Sequence, residues 1–301
     1  MTRRKIKIRF TLGICAYNEE KTIAKLLKFL LKEKFKNTQM EEIIVVASGC
    51  TDKTEEVVCD FSQKDSRVKL IIEKERLGKS SAVNKIIQNS PSKIIVLESA
   101  DTVPAKGAID KLVLALQEPE VGMVGGRPIP RNKPDNLVGF AVNLQWKLHH
   151  LISLKRPKVG EMVAFKKIFK RIHPKSAVDE AIVECLIATQ GYEIRYEPKA
   201  IVHNKGPATV RDFLRQRRRI YAGHLATKKH YGYAVSTFEV FKIFPYVFKV
   251  IEPTWQFFVF TPMVALLESI ARITGWLDYH FKIRDHAIWK IAETTKNLNE
   301  S

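Results

Sequence analysis

The first third of the chain repeats one pattern, in which an apolar run of strand length ends in a polar loop that leads into a helix. The four apolar runs end at or near Cys15, Ala47, Glu73 and Leu97. Between the first two runs, apolar residues from Ile23 to Leu31 recur at the spacing of one helix face. Strands that alternate with helices predict right-handed βαβ units and a mainly parallel sheet with helices on both faces. The chain is therefore predicted to have an α/β fold.

The polar loops of these units are predicted to meet at one edge of the sheet, where the carboxyl ends of parallel strands converge. The run from Lys93 to Leu97 is followed there by Glu98, Ser99 and Asp101. Ligands of open α/β sheets bind beyond the carboxyl ends of the strands, and helix amino termini supply N–H groups for phosphate. The same residue types also form ordinary turns, which explain any single loop equally well. Only the convergence of several loops predicts a binding site.

The pattern is looser in the rest of the first 230 residues. The sequence predicts a strand from Val121 to Gly126, a helix from Asn136 to Leu154, a short apolar segment from Gly160 to Phe165, a helix opened by Asp179 and Glu180, a strand from Tyr192 to Val202 and a basic helix from Val210 to Lys229. Two acids in a first turn are favoured by the helix dipole alone, and a basic helix is often a solvated one. His149 and His150 point to different faces of their helix, so they do not predict a shared metal site.

Charge and cysteine content narrow the class of protein only slightly. The formal net charge is +19, which suits nucleic acid, anionic lipid or a phosphorylated substrate equally well. The cysteines lack the paired spacing of a metal site and predict reduced thiols in a cytosolic compartment. The basic amino terminus runs directly into a strand pattern without the apolar core of a signal peptide, so it is not expected to direct export.

Seven short motifs, taken in order, resemble those of the family 2 glycosyltransferases over roughly Lys7 to His224. They are Tyr17-Asn18-Glu19-Glu20, Ser48-Gly49-Cys50-Thr51-Asp52, Gly78-Lys79 with Ala82 and Asn84, Ser99-Ala100-Asp101-Thr102, Gly160 through Phe165, Asp179-Glu180 and Gln216-Arg217-Arg218-Arg219-Ile220. Each motif is weak alone, but their common order is hard to explain by chance. The resemblance implies a GT-A fold, a Rossmann-like sheet with a nucleotide-sugar site at its edge.

The resemblance also implies roles for particular residues. It places Asp101 at the metal-binding carboxylate, where Mg²⁺ or Mn²⁺ would bridge the diphosphate. It places the catalytic base at Glu180 or Asp179, which would take the proton of the acceptor hydroxyl group in an inverting displacement. Gly160 and Glu161 would lie on the acceptor side. The implied donor-binding residues are Tyr17, Glu19, Ser48, Asp52, Lys79, Ser99, Gln216 and Arg219.

Four positions depart from the family's pattern. Ser99 replaces the first acid of the D-x-D motif, and Ala47-Ser48 stands where many members carry two aspartates. The pair Asp179-Glu180 reverses the usual Glu-Asp, so the family's spacing favours Glu180 as the base while the shorter Asp179 stays an alternative. Ile220 replaces the tryptophan of the Q-x-x-R-W motif. These departures indicate a divergent subgroup, and the retained acids indicate an active enzyme.

The composition becomes strongly apolar from Phe241 onward. The sequence therefore predicts a catalytic region, residues 1–230, followed by a hydrophobic helical region, residues 231–301. Its last residues, Arg284 to Ser301, return to polar composition and are expected on the cytoplasmic side.

Three arrangements of the hydrophobic region are compatible with its sequence. The segment from Thr254 to Leu277 could span a membrane if Glu268 and Arg272 pair on one helix face. The apolar residues could instead form a hairpin that lies in the headgroup zone, with Trp255, Trp276, Tyr246 and Tyr279 as anchors. A buried helical hairpin that packs on the catalytic region is the third arrangement.

Together these observations predict an inverting glycosyltransferase that moves a sugar from a UDP- or GDP-linked donor to a lipid-linked or growing glycan acceptor. The enzyme is expected at the cytoplasmic face of the cell membrane, in an oligomeric state that the sequence leaves open. A processive polysaccharide synthase is a second interpretation, disfavoured because one or two apolar segments cannot build a translocation channel. A nucleic-acid-binding protein is a third, disfavoured because no recognised nucleic-acid motif accompanies the basic helix.

Overall fold

The computed structural model describes residues 7–174, 176–238 and 240–284. Their strands are Ile8–Ala16 (β1), Thr38–Ser48 (β2), Val68–Glu73 (β3), Ile94–Ser99 (β4), Val103–Pro104 (β5), Val121–Pro130 (β6), Val163–Lys166 (β7) and Glu193–Asn204 (β8). Their α-helices are Ile23–Lys32 (α1), Thr54–Lys64 (α2), Lys79–Asn89 (α3), Ala108–Ala115 (α4), Leu137–Ser153 (α5), Asp179–Ala188 (α6), Val210–Tyr231 (α7), Val240–Val247 (α8) and Trp255–Phe281 (α9). The basic start of the chain before residue 7 and its polar end from residue 285 lie outside the described residues.

The described strands form one mixed sheet in the order β3-β2-β1-β4-β7-β6-β8-β5. The pairs β3-β2, β2-β1, β1-β4 and β6-β8 are parallel, whereas β5 is antiparallel to β8. Strand β7 is antiparallel to both neighbours, since Ala164 pairs with Val96 of β4 and with Val124 of β6. The predicted fold class is confirmed, and the apolar segment predicted from Gly160 to Phe165 contains a strand that joins two parallel groups.

Helices cover both faces of the sheet, as the repeated sequence pattern predicts. On one face, α1 contributes four side chains that are each at most 1% exposed: Ile23, Leu26, Leu27 and Leu30. On the other face, α3 packs so closely on β1 that a Cβ atom at Gly13 would lie 2.5 Å from the side chain of Ile86. Full burial of one such aliphatic side chain contributes about 1.5–3 kcal/mol to folding. These two apolar layers fix the strand ends from which the polar loops leave.

The sequence pattern predicts neither β5 nor α4. Helix α4 follows Gly107, whose φ of 75° is in the left-handed region that favours glycine. Its first turn is tied to the sheet because the Asp110 carboxylate accepts hydrogen bonds from the backbone N–H of Thr38, at 3.2 Å, and from the Thr38 hydroxyl group, at 2.5 Å. A helix of eight residues and a strand of two are too short for a periodic signal to identify.

Helix α9 packs along α7 by close backbone contact and by ion pairs. A Cβ atom at Gly275 would lie 2.6 Å from the carbonyl oxygen of Arg218, so the helices meet where a larger side chain has no room. The guanidinium of Arg218 donates two hydrogen bonds to the Asp278 carboxylate. Arg217 Nε lies 2.5 Å from Glu268 Oε1. One side of α9 is therefore fixed to the sheet-bearing part of the molecule.

The opposite side of α9 is an exposed apolar stripe. Its residues are between 43% and 67% exposed: Trp255, Phe258, Val259, Met263, Leu266, Ile273, Trp276 and Phe281. Among the described helices, α9 is the one with the length and composition to cross a bilayer. The pairing of Glu268 with Arg272 that a spanning segment would require is present, with Arg272 Nε 3.8 Å from Glu268 Oε2. The exposed stripe disagrees with a buried hairpin, because half of this helix has no protein cover among the described residues.

Candidate active site

The loops after β1 and β2 bind each other and form one wall of a cavity. The Asn18 amide donates to the Thr51 hydroxyl group at 2.9 Å, and the backbone N–H of Thr51 donates to Asn18 Oδ1 at 2.8 Å. Asn18 has a φ of 53°, and this turn leaves the neighbouring Tyr17 at the cavity. The guanidinium carbon of Arg76 lies 3.9 Å from the centre of the Tyr17 ring, in cation–π contact. Tyr17 and Arg76 therefore present a flat cationic and aromatic surface.

Two further predicted donor-binding residues lie on this wall, and a third lies behind it. Glu19 and Ser48 line the cavity, and Ser48 Oγ accepts a hydrogen bond from the Leu77 N–H at 3.3 Å. The Asp52 carboxylate instead accepts hydrogen bonds from the backbone N–H groups of Thr54, at 2.9 Å, and Glu20, at 3.2 Å. Asp52 therefore holds the loops together behind the cavity, and a direct contact between Asp52 and a donor stays a prediction.

The acidic pair at the start of α6 meets a lysine at the start of α3. Lys79 Nζ lies 3.2 Å from Asp179 Oδ2 and donates a hydrogen bond to Glu180 Oε1. Burial opposes the charge of Lys79, but the two carboxylates outweigh burial and hold its pKa well above the usual range. Burial and the charge of Glu180 raise the pKa of Asp179 to about 6. For Glu180, Lys79 outweighs burial and lowers the pKa, so Glu180 is the more acidic member of the pair.

Three further carboxyl groups, those of Glu98, Asp101 and Glu161, lie near one another around the end of β4. Glu98 is 3% exposed, and its Oε2 atom has no hydrogen-bond partner among the described residues. Burial, with the charges of Glu161 and Asp101, raises the pKa of Glu98 well above its usual range. Burial, with Asp101 and Glu180, raises the pKa of Glu161 to about 7. Within the described parts of the chain, no three His, Cys, Asp or Glu side chains form a metal-binding group by themselves.

Helix α7 brings the predicted Gln216 and Arg219 to the same cavity. Burial lowers the pKa of Arg219 to about 10, although Asp179, Glu180 and Glu161 counteract it. The guanidinium therefore stays charged at neutral pH and faces the acidic pair. Ile220, which replaces the family's tryptophan, also lines the cavity and packs against Val178 and Val235.

The cavity has a volume of about 1090 Å³ and joins nearly all of the predicted site residues. It runs from the Tyr17 wall past the acidic pair and then continues between α5, α7 and α9. The predicted site residues that line it are Tyr17, Glu19, Ser48, Lys79, Ser99, Asp101, Gly160, Glu161, Asp179, Glu180, Gln216 and Arg219. Loops that are far apart in the sequence thus converge at one site.

Several cavity residues are not predicted from the sequence. They include Arg76, His149, Lys158, His224, Glu268 and Arg272. Arg76 stands two residues before the Gly78-Lys79 motif, and Lys158 stands two residues before Gly160, so proximity to a motif is the available signal for both. The residues from α9 have no such signal, because their place at the cavity depends on how α9 packs.

Comparison with known proteins identifies related sequences. A family model described as glycosyl transferase family 2 matches residues 11–184. The protein named probable glycosyltransferase YdaM, from Bacillus subtilis (strain 168), is 29% identical over 231 residues, which cover 70% of this chain and 54% of that protein. The poly-beta-1,6-N-acetyl-D-glucosamine synthase of Staphylococcus epidermidis is 23% identical over 287 residues, which cover 90% of this chain and 68% of that protein. The chain thus spans about half the length of the Bacillus relative.

A solved structure shares the fold. The mannosyltransferase PcManGT from Pyrobaculum calidifontis, determined in complex with GDP-Man and Mn²⁺, aligns with a TM-score of 0.66. The alignment covers 93% of this chain and 89% of that protein at 19% sequence identity. At this identity the likeness concerns the fold alone.

Proposed function

Because the chain belongs to glycosyl transferase family 2, we propose that it transfers a sugar from a nucleoside diphosphate sugar to an acceptor hydroxyl group, with inversion at the anomeric carbon. The observation that carries this proposal is the meeting of Asp179 and Glu180 with Lys79 and Arg219 at one cavity. A carboxylate for the acceptor proton and cations for a diphosphate leaving group are what such a transfer requires.

The Tyr17 wall is the proposed place of the nucleoside. An aromatic ring backed by the Arg76 guanidinium suits the flat face of a base, and Glu19 and Ser48 add polar groups on the same wall. The diphosphate would lie toward Lys79, Ser99, Gln216 and Arg219, where two cations and the amino terminus of α3 favour negative charge. Asp52 would act indirectly, by holding the loops that carry this wall.

Glu180 is the proposed catalytic base. Its side chain is 20% exposed, against 3% for Asp179, so Glu180 is the better placed to meet an acceptor. The carboxylate would take the hydroxyl proton while the acceptor oxygen forms a bond to the anomeric carbon. The bond from that carbon to the diphosphate oxygen breaks at the same time, and the nucleoside diphosphate leaves with the electron pair. Lys79 and Arg219 would stabilise the charge that develops on the leaving group.

The acidic surroundings of Asp101 favour a divalent cation. Asp101 would be a ligand of Mg²⁺ or Mn²⁺, because hard carboxylate oxygens suit these ions, and the nearby Glu98 and Glu161 add negative charge. Among the described residues these acids do not form a metal-binding group of three by themselves, so a bound ion would also need ligands from the donor. Such an ion, when bound, stabilises negative charge on the diphosphate. PcManGT was determined with Mn²⁺ and GDP-Man, which supports this proposal.

We propose that the exposed stripe of α9 lies in the surface of the cell membrane, with the site on the cytoplasmic side. The helix is fixed to α7, which carries five arginines: Arg211, Arg215, Arg217, Arg218 and Arg219. A spanning α9 would either separate from α7 or draw these charges into hydrocarbon, where each costs about 2.5–3.5 kcal/mol or more. An in-plane helix with Trp255 and Trp276 on its lipid side avoids both penalties. The protein should float with anionic vesicles, and Leu266→Asp should reduce that flotation. Equal flotation of the variant and the unaltered protein would contradict this arrangement.

The acceptor is proposed to be a lipid-linked or growing glycan at that surface. The second candidate function, a processive polysaccharide synthase, is supported by the similarity to poly-beta-1,6-N-acetyl-D-glucosamine synthase over 90% of this chain. Transfer of a single sugar is preferred, because Ile220 stands in place of a tryptophan and removes an aromatic surface for a growing chain.

Thermal unfolding with UDP, GDP and their common sugar conjugates, each with and without Mn²⁺, tests the proposal. A ligand at 100 times its dissociation constant stabilises the folded protein by about 2.7 kcal/mol. One nucleotide should therefore raise the melting temperature, and Mn²⁺ should increase the effect. Folded protein that responds to none of these ligands, in detergent or on vesicles, would contradict a donor site.

A further inference from the structure

The cavity extends well past the acidic pair, into a space between α5, α7 and α9. We call this space the inner chamber and define it by Lys158, Arg217, His224, Glu268 and Arg272, which all line the cavity. None of these five residues belongs to the donor site proposed above. Because the inner chamber and Glu180 line one cavity, a molecule bound in the chamber can extend toward the proposed base.

Positive charge in the inner chamber exceeds the negative charge that faces it. Glu268 is shared by two guanidiniums, with Arg217 Nε at 2.5 Å from Oε1 and Arg272 Nε at 3.8 Å from Oε2. Among the described residues, Lys158 Nζ has neither a hydrogen bond nor an ion pair within 4.0 Å. Three cations thus face one carboxylate in this chamber.

The next carboxylate does not balance Lys158. Glu184 lies behind the chamber, where its Oε1 atom accepts a hydrogen bond from the Tyr233 hydroxyl group at 2.6 Å. Its Oε2 atom accepts from the backbone N–H of Val159 at 3.4 Å. Burial raises the pKa of Glu184 to about 7, so this group is only partly ionised at neutral pH. Burial and the charges of Arg217 and Arg272 lower the pKa of Lys158 to about 8, although Glu184 and Glu268 counteract them.

A histidine in the chamber has unused hydrogen-bonding groups. Both ring nitrogens of His224 are buried, and neither has a hydrogen-bond partner among the described residues. Burial and the three cations Lys158, Arg217 and Arg272 hold its pKa well below the usual range, so the ring is neutral and keeps one N–H donor. Buried polar groups in proteins are nearly always paired, and a cluster of repelling cations is unfavourable unless something compensates it.

We propose that the inner chamber binds a phosphate group of the acceptor, with Lys158 and Arg272 as its main contacts. This inference rests on the proposed function, because it makes the acceptor a phosphate-bearing molecule. A phosphate supplies the missing negative charge and accepts several hydrogen bonds from a guanidinium and an ammonium group. The chamber wall also includes Val264, Ala265 and Ser269 of α9, whose opposite side is the apolar stripe. A phosphate carried by a membrane lipid would reach the chamber beside that helix.

The phosphate could belong to a membrane lipid or to a water-soluble acceptor, and a binding experiment distinguishes these two sources. Binding to the full chain in detergent is measured for a polyprenyl phosphate, for the matching polyprenol without phosphate, and for inorganic phosphate. We expect the polyprenyl phosphate to bind well and the polyprenol to bind at least tenfold more weakly. Tighter binding of the lipid phosphate than of inorganic phosphate assigns the site to a lipid-linked acceptor. Equal binding of these two assigns it to a water-soluble phosphorylated acceptor. Equal binding of polyprenol and polyprenyl phosphate overturns the proposal.

Substitution of Lys158 tests whether the phosphate lies in the chamber. Lys158→Met keeps the apolar stem and should weaken phosphate binding by about tenfold to a hundredfold, since hydrogen bonds to charged groups have that effect. Lys158→Arg should restore most of the affinity. Lys155→Met, at an exposed lysine three residues earlier, is the matched control and should bind phosphate like the unaltered chain. Unchanged affinity in Lys158→Met overturns the proposal.

Nucleotide binding separates this inference from the proposed function. Lys158→Met should bind UDP or GDP with Mn²⁺ as the unaltered protein does, which also shows that the variant is folded. If the unaltered protein binds nucleotide but none of the phosphate probes, only the inference about the acceptor is wrong. If it binds the phosphate probes but no nucleotide, the proposed transferase function is wrong instead.

Discussion

The two ends of the cavity carry opposite excesses of charge. Around the end of β4 and at the start of α6, five carboxyl groups face two cations, Lys79 and Arg219; the carboxyl groups are those of Glu98, Asp101, Glu161, Asp179 and Glu180. In the inner chamber, three cations face Glu268. The charged side chains at both ends are only partly exposed, by 19–24% for Lys79, Glu180, Arg217, Glu268 and Arg272, so water screens each excess only in part. The acidic end thus favours a cation with a diphosphate, and the basic end favours an anion.

Removal of the proposed base should have the largest effect on this arrangement. Glu180→Gln should lower the transfer rate by about 10²–10⁴-fold, because a positioned base contributes that much. Donor affinity, measured by nucleotide titration, should stay the same within a few-fold, since Lys79 keeps Asp179 as a partner. Asp179→Asn is the matched control. If Asp179→Asn abolishes transfer and Glu180→Gln does not, the base is Asp179.

The pH profile distinguishes the same two residues without substitution. Lys79 lowers the pKa of Glu180, whereas burial and Glu180 raise that of Asp179 to about 6. With Glu180 as the base, transfer should stay nearly constant from neutral pH down to the ordinary range of a glutamate. A rate that falls tenfold per unit below about pH 6 would instead identify Asp179 as the base.

Substitution of Asp101 should reduce the attraction of the acidic end for a cation. Asp101→Asn should weaken Mn²⁺ binding in the presence of nucleotide by about tenfold to a hundredfold, since hydrogen bonds and contacts to charged groups contribute 1.5–3 kcal/mol. Isothermal titration with Mn²⁺ measures this loss. Ser99→Asp is the opposite change, which restores an acid of the family's D-x-D motif and should tighten Mn²⁺ binding. If both variants bind Mn²⁺ as tightly as the unaltered protein does, this loop does not contribute to a metal site.

The smallest expected effect concerns stability at the basic end. Lys158→Met should raise the free energy of unfolding at neutral pH by about 1 kcal/mol, because it relieves repulsion that a functional site retains. The folded pKa of Lys158 is about 8, below that of an unfolded lysine, so the unfolded chain holds its proton more tightly. Stability of the unaltered protein should therefore rise with pH between about 8 and 10 by this contribution. Urea unfolding of Lys158→Met should lack that rise, and a loss of stability at neutral pH would contradict a strained cationic chamber.

The family, the enzyme class and the α/β layers are predicted from the sequence because they depend on local periodicity and short motifs. Comparison with known proteins confirms all three. The burial of Glu98 is not predictable in this way, since Glu161, which is remote in the sequence, approaches it only in the folded chain. The antiparallel direction of β7 is not predictable either, because an apolar run in a sequence carries no information about strand direction.

The inner chamber is the least predictable part of the site. Lys158 follows α5, His224 lies on α7 and Arg272 lies on α9, so no segment contains more than one of them. In the sequence, Glu268 and Arg272 predict only a pair on one helix, which is present. Their second role at the cavity depends on Gly275, which lets α9 come close to α7.

Three consecutive arginines of α7 contact three different parts of the molecule. Arg217 pairs with Glu268, Arg218 pairs with Asp278, and Arg219 faces the acidic pair. Successive residues of an α-helix point about 100° apart, so one helical turn connects all three directions. If α9 rests on lipid, the distance from the bilayer to the reacting carbon is set by α9 together with α7, which lies between α9 and the acidic pair. The enzyme would then select acceptors by the distance of their hydroxyl group from the membrane surface.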